Sequence, residues 1–301
     1  MIDEVSQLVN DGNPAGALDA AIQALAQLRS NANAEAWSRF CESVADHPLF
    51  ELFSQCPATK RAFDKPRGYA GDAALMDLLY GFVRAPAATT AVGRGIHARL
   101  CERASPSLFG RVRAIEAVLD GLADGASVLS VASGHAREIT THNERLNITA
   151  FDQDEASLSV LSQALPFVRC VAGNVRALIA GDAIEGRYDF IYASGLYDYL
   201  DASAAERLTE VLANALAPGG RLLVGNFTHV GDEVAYMESF MGWPLLRRSA
   251  ADLAKLAPKD LPSSVALGPE GYVAYLTVHR PGPVSRNRAG TAIGARSGEE
   301  H

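Results

Sequence analysis

The chain has 301 residues, of which 48% are hydrophobic and 21% charged, with a net charge of -8. That length carries one large domain plus an appendage, and the composition is that of a folded globular chain, which excludes a wholly disordered or fibrous protein. An acidic balance, with a pI near 5.4, argues against phosphate-backbone binding, which needs a concentrated basic face, so a small-molecule partner is expected and nucleic acid is not.

The start, MIDEVSQLVNDG, is acidic and polar rather than basic then apolar, and no window reaches the roughly 18 apolar residues of a membrane span. The expectation is a cytoplasmic protein with no membrane partner, and a homodimer is the assembly to look for. Cys41, Cys56, Cys101 and Cys170 lie far apart, and the seven histidines show no helical ligand spacing, so no metal is expected.

From Asp3 to about Cys41, Ala and Leu recur at three- and four-residue spacing, which predicts two amphipathic helices broken at Asp11-Gly12-Asn13-Pro14. The stretch HPLFELFSQCPATKRAFDKPRGYAGDAALMDLLYG follows, with a break at Pro66-Arg67-Gly68 and helical spacing from Ala73 to Tyr80. A further helix is predicted from about Ser107 to Leu122, with Ser105 as cap and Pro106 in the first turn.

After Gly125 the pattern changes to short apolar runs separated by helical ones. The predicted strands are Ser127 to Ala132, Ile148 to Phe151, Val168 to Ala172, Phe190 to Ala193 and Arg221 to Asn226, with Ala274 to Val278 closing the sheet. Helices between them imply right-handed βαβ units, hence an α/β, Rossmann-like doubly wound, mostly parallel sheet with an antiparallel edge strand, preceded by a helical segment. The domain reading is a helical lid segment over 1–105, the α/β domain over 106–280 and a disordered tail over 281–301.

The run VLSVASGHAREI follows the first strand and opens the next helix, where a doubly wound sheet binds a nucleotide. Methyltransferases typically carry an acidic residue and then three glycines there. This chain has Ser130, then Ala132, Ser133, Gly134 and Ala136, small residues that still let a ligand approach the backbone. The next strand ends FDQD, and Asp152 stands about 20 residues past the loop, the offset at which a carboxylate accepts hydrogen bonds from a ribose. Gln153 sits beside it, and Asp154 reads as the following helix's cap. The third strand leads into AGNVRAL, where Asn174 is read as meeting the adenine amino group and Val175 as offering its amide, although Asn at a strand end is also a common turn residue. The fourth strand gives DFIYASGLYDYL, which puts Ser194 at the cofactor and Tyr197 and Tyr199 at the mouth, with Asp198 fixing their loop; aromatic packing is the plainer alternative. The turn LAPGG before the fifth strand is a recurrent feature of this enzyme class, with Gly219 and Gly220 read as supplying positive φ. These ordered elements imply S-adenosyl-L-methionine as cofactor and a small-molecule acceptor.

The strings HPLFELFSQCPATKRAFDKPRGYAGDAALMDLLYG, SVASGHAREI, FDQDEASL, DFIYASGLYDYL, PGGRLLVGNF and YMESFMGWPL resemble the synthases that methylate 3-hydroxy fatty acids to quorum-sensing methyl esters, over about Glu42 to Leu256. In that family the glycine loop is similarly reduced to Ser-Gly-His or Cys-Gly-His. The resemblance implies methyl transfer to oxygen, such as a carboxylate. In the break KPRGYAGD, Arg67, Tyr69 and Asp72 are expected to face the site, with Arg67 clamping either the acceptor carboxylate or the carboxylate of the cofactor's methionine part; the plainer alternative is a helix-to-helix turn with Asp72 as cap. Competing readings are methylation of nitrogen or a phenol, an NAD-dependent oxidoreductase, and a non-catalytic cofactor-binding protein.

Overall fold

A computed structural model describes residues 1–181, 184–229, 231–269 and 271–282. The tail expected over 281–301 therefore lies, from 283 onward, outside the described residues.

Seven strands form one sheet: β1 (Ser127–Val131), β2 (Asn147–Asp152), β3 (Arg169–Ala172), β4 (Tyr188–Ala193), β5 (Leu216–Phe227), β6 (Ser263–Leu267) and β7 (Val273–His279). Their order is β3-β2-β1-β4-β5-β7-β6. The first five pair in parallel, and β7 runs antiparallel to both β5 and β6. This is the Rossmann-like, doubly wound sheet expected. Its antiparallel edge strand is β6, and the closing strand β7 lies one place inside it; the run SSVAL that forms β6 is largely exposed, as befits an edge.

The helices are α1 (Ile2–Asn10), α2 (Pro14–Asn31), α3 (Ala34–Glu42), α4 (Phe50–Phe53), α5 (Pro57–Asp64), α6 (Ala73–Tyr80), α7 (Ala91–Asp120), α8 (Glu155–Ala164), α9 (Val175–Ala180), α10 (Ala202–Asn214), α11 (Val234–Glu238) and α12 (Ala250–Ala254). Local chemistry sets their starts: Asn13, Asn33, Asp72, Thr90, Asp154, Asn174 and Asp201 each accept a backbone N–H of the first turn. The lead-in region holds three helices where two were expected, because Asn33 starts a new one.

Three expectations are corrected. The helix expected from Ser107 begins at Ala91 on the Thr90 cap and runs through Pro106 as one 30-residue helix, crossing the 105/106 boundary. Its length is set by packing: Ile96 and Leu100 belong to the helical core, whereas Ile115 and Leu119 pack under the sheet. Second, no α-helix follows the loop after β1; the crossover holds a short 3₁₀ turn, Thr141–Arg145. Third, LAPGG is the start of β5 itself, with a register shift against β4. There Gly219 has φ +85, but Gly220 does not share that region. A Cβ at Gly220 would stand 2.7 Å from the Tyr188 carbonyl oxygen, so close approach explains that glycine.

One face of the sheet packs on α9, α10 and α12, the other on α8 and the C-terminal half of α7. A third core lies beside them, built by the N-terminal helices together with Tyr236, Phe240, Met241 and Trp243 from the segment after β5.

Candidate active site

The carboxyl ends of β1, β2, β3, β4 and β5 open into one cavity of about 370 Å³, roofed by the segment from Tyr69 to Tyr80. The ends of strands in an open parallel sheet are where ligands bind.

The loop after β1 shapes the cavity's first half. Ala132, Gly134 and Ala136 all have positive φ (52, 54 and 44), so two alanines hold a conformation that glycine takes without strain. The Gly134 N–H donates to Asp152 Oδ2 at 2.7 Å, and the Asp154 N–H donates to Oδ1 at 2.8 Å. Asp152 is only 6% exposed, and burial raises its pKa while those N–H donors oppose the rise. A Cβ on Gly134 would meet the Ala73 Cβ at 3.1 Å, which shows how closely α6 covers the loop.

That cover is locked by charge. Asp77 of α6 accepts Arg137 Nε at 2.7 Å and Nη2 at 2.5 Å, and pairs with His135 Nδ1 at 2.9 Å. Burial works to raise the Asp77 pKa, but the bonds from Arg137 and His135 prevail and hold it down to about 2.

Over β4 and β5 the lining is aromatic and apolar, with charge beneath. Tyr199 accepts a hydrogen bond from Trp243 Nε1 at 2.7 Å, and Tyr69 packs edge-on to it with centroids 6.4 Å apart. A Cβ at Gly71 would be 2.3 Å from the Tyr199 hydroxyl oxygen, so only glycine lets KPRGYAGD pass. Burial pushes the Tyr199 phenol up to about 12, which keeps it protonated. Asp198 accepts the Phe227 N–H at 2.7 Å and Asn226 Nδ2 at 2.9 Å, and burial raises its carboxyl to about 6. Arg111 of α7 reaches the same end, with its guanidinium 4.5 Å above the Phe227 ring. Glu138 accepts the Tyr192 hydroxyl at 2.6 Å, and burial raises its pKa.

Of the residues anticipated from sequence, Tyr69, Ser130, Ala132, Ser133, Gly134, Asp152, Gln153, Val175, Ser194 and Tyr199 line this cavity, as does Asp198. Four others are not brought there. Arg67 is 44% exposed and lies 3.6 Å from Asp154, so it is no clamp in the cavity. Asn174 accepts the Ala177 N–H and caps α9 instead of reaching the lining. Tyr197 is fully buried, its hydroxyl 3.0 Å from Thr209 Oγ1 beneath the sheet. Asp72 caps α6 and takes both arms of Arg61, which satisfies it away from the cavity.

Arg111, Glu138, Asp77 and Trp243 are lining residues that sequence reasoning missed. A signal existed for two of them. Arg111 falls on the apolar stripe of Leu108, Val112, Ile115 and Leu119, and Asp77 interrupts the apolar run AALMDLLY. A charge at a core position of a helix must have a partner or a ligand.

The cavity contains features that suit a nucleoside with an amino-acid side arm. Asp152 lies at the end of β2, Gly173 lines the cavity with the Phe151 ring packed against it, and Ser133 Oγ is buried without a hydrogen-bond partner in the protein. Among the described residues no group of His, Cys, Asp or Glu side chains could hold a metal, and no helix is long and apolar enough to cross a membrane.

No protein-family model matches the chain, and no curated protein does. Solved structures do. A possible exported protein from Bordetella parapertussis is similar over 90% of this chain and 96% of its own, at 16% identity and TM-score 0.52, which shows that the fold is shared over nearly the whole length. A TehB-like SAM-dependent methyltransferase from Corynebacterium glutamicum is 18% identical over 57% of this chain and 87% of its own, TM-score 0.43. Magnesium protoporphyrin IX methyltransferase from Synechocystis, with SAH bound, is 13% identical over 68% of this chain and 91% of its own, TM-score 0.46.

Proposed function

We propose that this chain is an S-adenosylmethionine-dependent methyltransferase that methylates an oxygen of a small molecule, the carboxylate of a 3-hydroxy fatty acid or a similar acid with an apolar tail. The observation that carries the reading is a single cavity running from Asp152, at the end of β2, to the aromatic wall of Tyr69, Tyr199 and Trp243 beyond β4 and β5.

In this reading Asp152 holds the ribose hydroxyls, Val175 and Leu178 flank the adenine, and Ser133 and Gly134 lie along the methionine arm. The cofactor supplies an electrophilic methyl group on a sulfonium. The protein's contribution is to hold the acceptor oxygen in line with that methyl group and to exclude water. A carboxylate acceptor is already a nucleophile at neutral pH, so no strong base is required. Leu200, Leu245 and Phe227 offer the apolar tail a dry wall. The dinucleotide alternative is disfavoured because a pyrophosphate is seated on a helix N-terminus, and here a loop and a 3₁₀ turn stand after β1.

The test is incubation with labelled S-adenosylmethionine and a panel of 3-hydroxy fatty acids, free and as thioesters, alongside phenols and amines. Methyl ester formation is expected. Transfer confined to nitrogen or phenol acceptors would overturn the carboxylate assignment, and failure to bind S-adenosylhomocysteine would overturn the cofactor assignment.

A further inference from the structure

We propose that Arg111 and Glu138 form a paired receptor for the α-amino-acid head of the bound nucleoside, Arg111 taking the carboxylate and Glu138 the ammonium. This rests on the cofactor reading above and assigns two residues of the cavity to one end of that ligand.

Arg111 is 5% exposed yet incompletely satisfied. Its Nη1 donates to the Ser194 carbonyl at 3.0 Å. The nearest acid is Asp198, whose Oδ1 takes the Phe227 N–H and Asn226 Nδ2 and whose Oδ2 stands 4.0 Å from Nη1, too far for a hydrogen bond. The Arg111 Nε is buried with no hydrogen-bond partner in the protein. The Phe227 ring packs against the guanidinium, its centroid 4.5 Å from the Arg111 Cζ. A desolvated guanidinium whose nearest acid stands 4.0 Å away is costly unless a closer planar anion meets the end that lines the cavity, and a carboxylate matches the guanidinium fork with two bonds.

Glu138 lies at the far end of the glycine loop and lines the same cavity. One of its oxygens accepts the Tyr192 hydroxyl. Among the described residues no Lys, Arg or His forms an ion pair with it, and burial raises its pKa despite the opposing Tyr192 hydroxyl and the more distant charge of Arg111. Opposite charges that share a cavity normally close on each other unless the fold holds them apart. Here Ser194 and Phe227 hold Arg111, and Tyr192 holds Glu138. A simple acid would leave Glu138 uncompensated and a simple amine would leave Arg111 so. A zwitterion satisfies both.

The experiment is calorimetric binding of S-adenosylhomocysteine and of 5′-methylthioadenosine, which keeps the adenosine and sulfur but lacks the amino-acid head. The wild-type protein should prefer the former. Arg111→Met, which keeps the apolar stem, should weaken S-adenosylhomocysteine about 10- to 100-fold, the worth of a charge-assisted pair, and leave methylthioadenosine nearly unchanged. Glu138→Gln should do the same to a smaller degree, and Arg111→Lys covers the case in which the methionine variant fails to fold. Equal wild-type affinity for the two ligands would overturn the proposal while sparing the cofactor reading; binding of neither would overturn both. Unchanged S-adenosylhomocysteine affinity in Arg111→Lys with a raised KM for the acid acceptor would also overturn it, by giving the guanidinium to the acceptor.

Discussion

The two halves of the cavity handle their buried charges in opposite ways. Over β1 and β2, the Asp152 carboxylate is satisfied before any ligand arrives, because the N–H groups of Gly134 and Asp154 occupy one oxygen each. Over β4 and β5, the buried Arg111 lines the cavity with its nearest acid, Asp198, 4.0 Å away. The first arrangement sets a shape: the carboxylate pins the glycine loop to the end of β2 and presents its remaining lone pairs in a fixed direction. The second leaves interaction energy that only a ligand can release. Polar groups that look alike in a sequence thus divide into those that build a site and those that complete it.

The contrast can be broken most severely at Asp77, which ties α6 to the loop through His135 and Arg137. Asp77→Ala leaves the Arg137 guanidinium and the His135 ring without their shared partner and should cost about 3 kcal/mol in urea unfolding, as removal of one member of a buried pair does. A change within 1 kcal/mol, on the order of an exposed pair, would show that the roof is held by apolar packing instead. Next in size, Asp152→Ala should weaken S-adenosylhomocysteine by about 1 to 3 kcal/mol in calorimetry, and wild-type affinity would remove the ribose assignment. Smaller still, Ala132→Gly should stabilise the protein by about 0.5 to 1 kcal/mol, since it relieves left-handed strain at an exposed position. A destabilised variant would mean that the loop tolerates alanine there without cost. Smallest is Arg67→Ala, whose long, half-exposed contact with Asp154 is worth under about 0.5 kcal/mol. Either altered cofactor binding or altered turnover in that variant would return Arg67 to the site.

Six of the seven strands and α6 were legible because their apolar periods are short and bounded by turn residues, whereas the exposed edge strand β6 was missed. The antiparallel pairing of β7 and the position of Asp152 followed from the same grammar. What escaped was set by partners distant in sequence. Pro106 reads as a helix start, yet tertiary packing on both sides carries α7 through it. The missing helix after β1 has a local cause in hindsight: the left-handed residues Ala132, Gly134 and Ala136 cannot begin one. Asn174 and Asp72 are helix caps, the humbler of the two roles their chemistry allows. Tyr197 and Tyr199, two positions apart, have opposite fates because the 3₁₀ turn sends one hydroxyl to Thr209 and the other to Trp243.

The segment after β5 has a consequence for how the chain assembles. Tyr236, Phe240 and Met241 lie in the core of the N-terminal helices; the Tyr236 hydroxyl is 2.9 Å from Thr59 Oγ1, and Glu238 accepts Arg29 Nε at 2.6 Å and Trp37 Nε1 at 2.8 Å. The N-terminal helices, made before the sheet, therefore lack the aromatic plug of their own core until most of the sheet has been synthesised. These helices can form early, but their packing must wait, so the lead-in and the sheet reach the native state as one cooperative unit rather than in the order of translation.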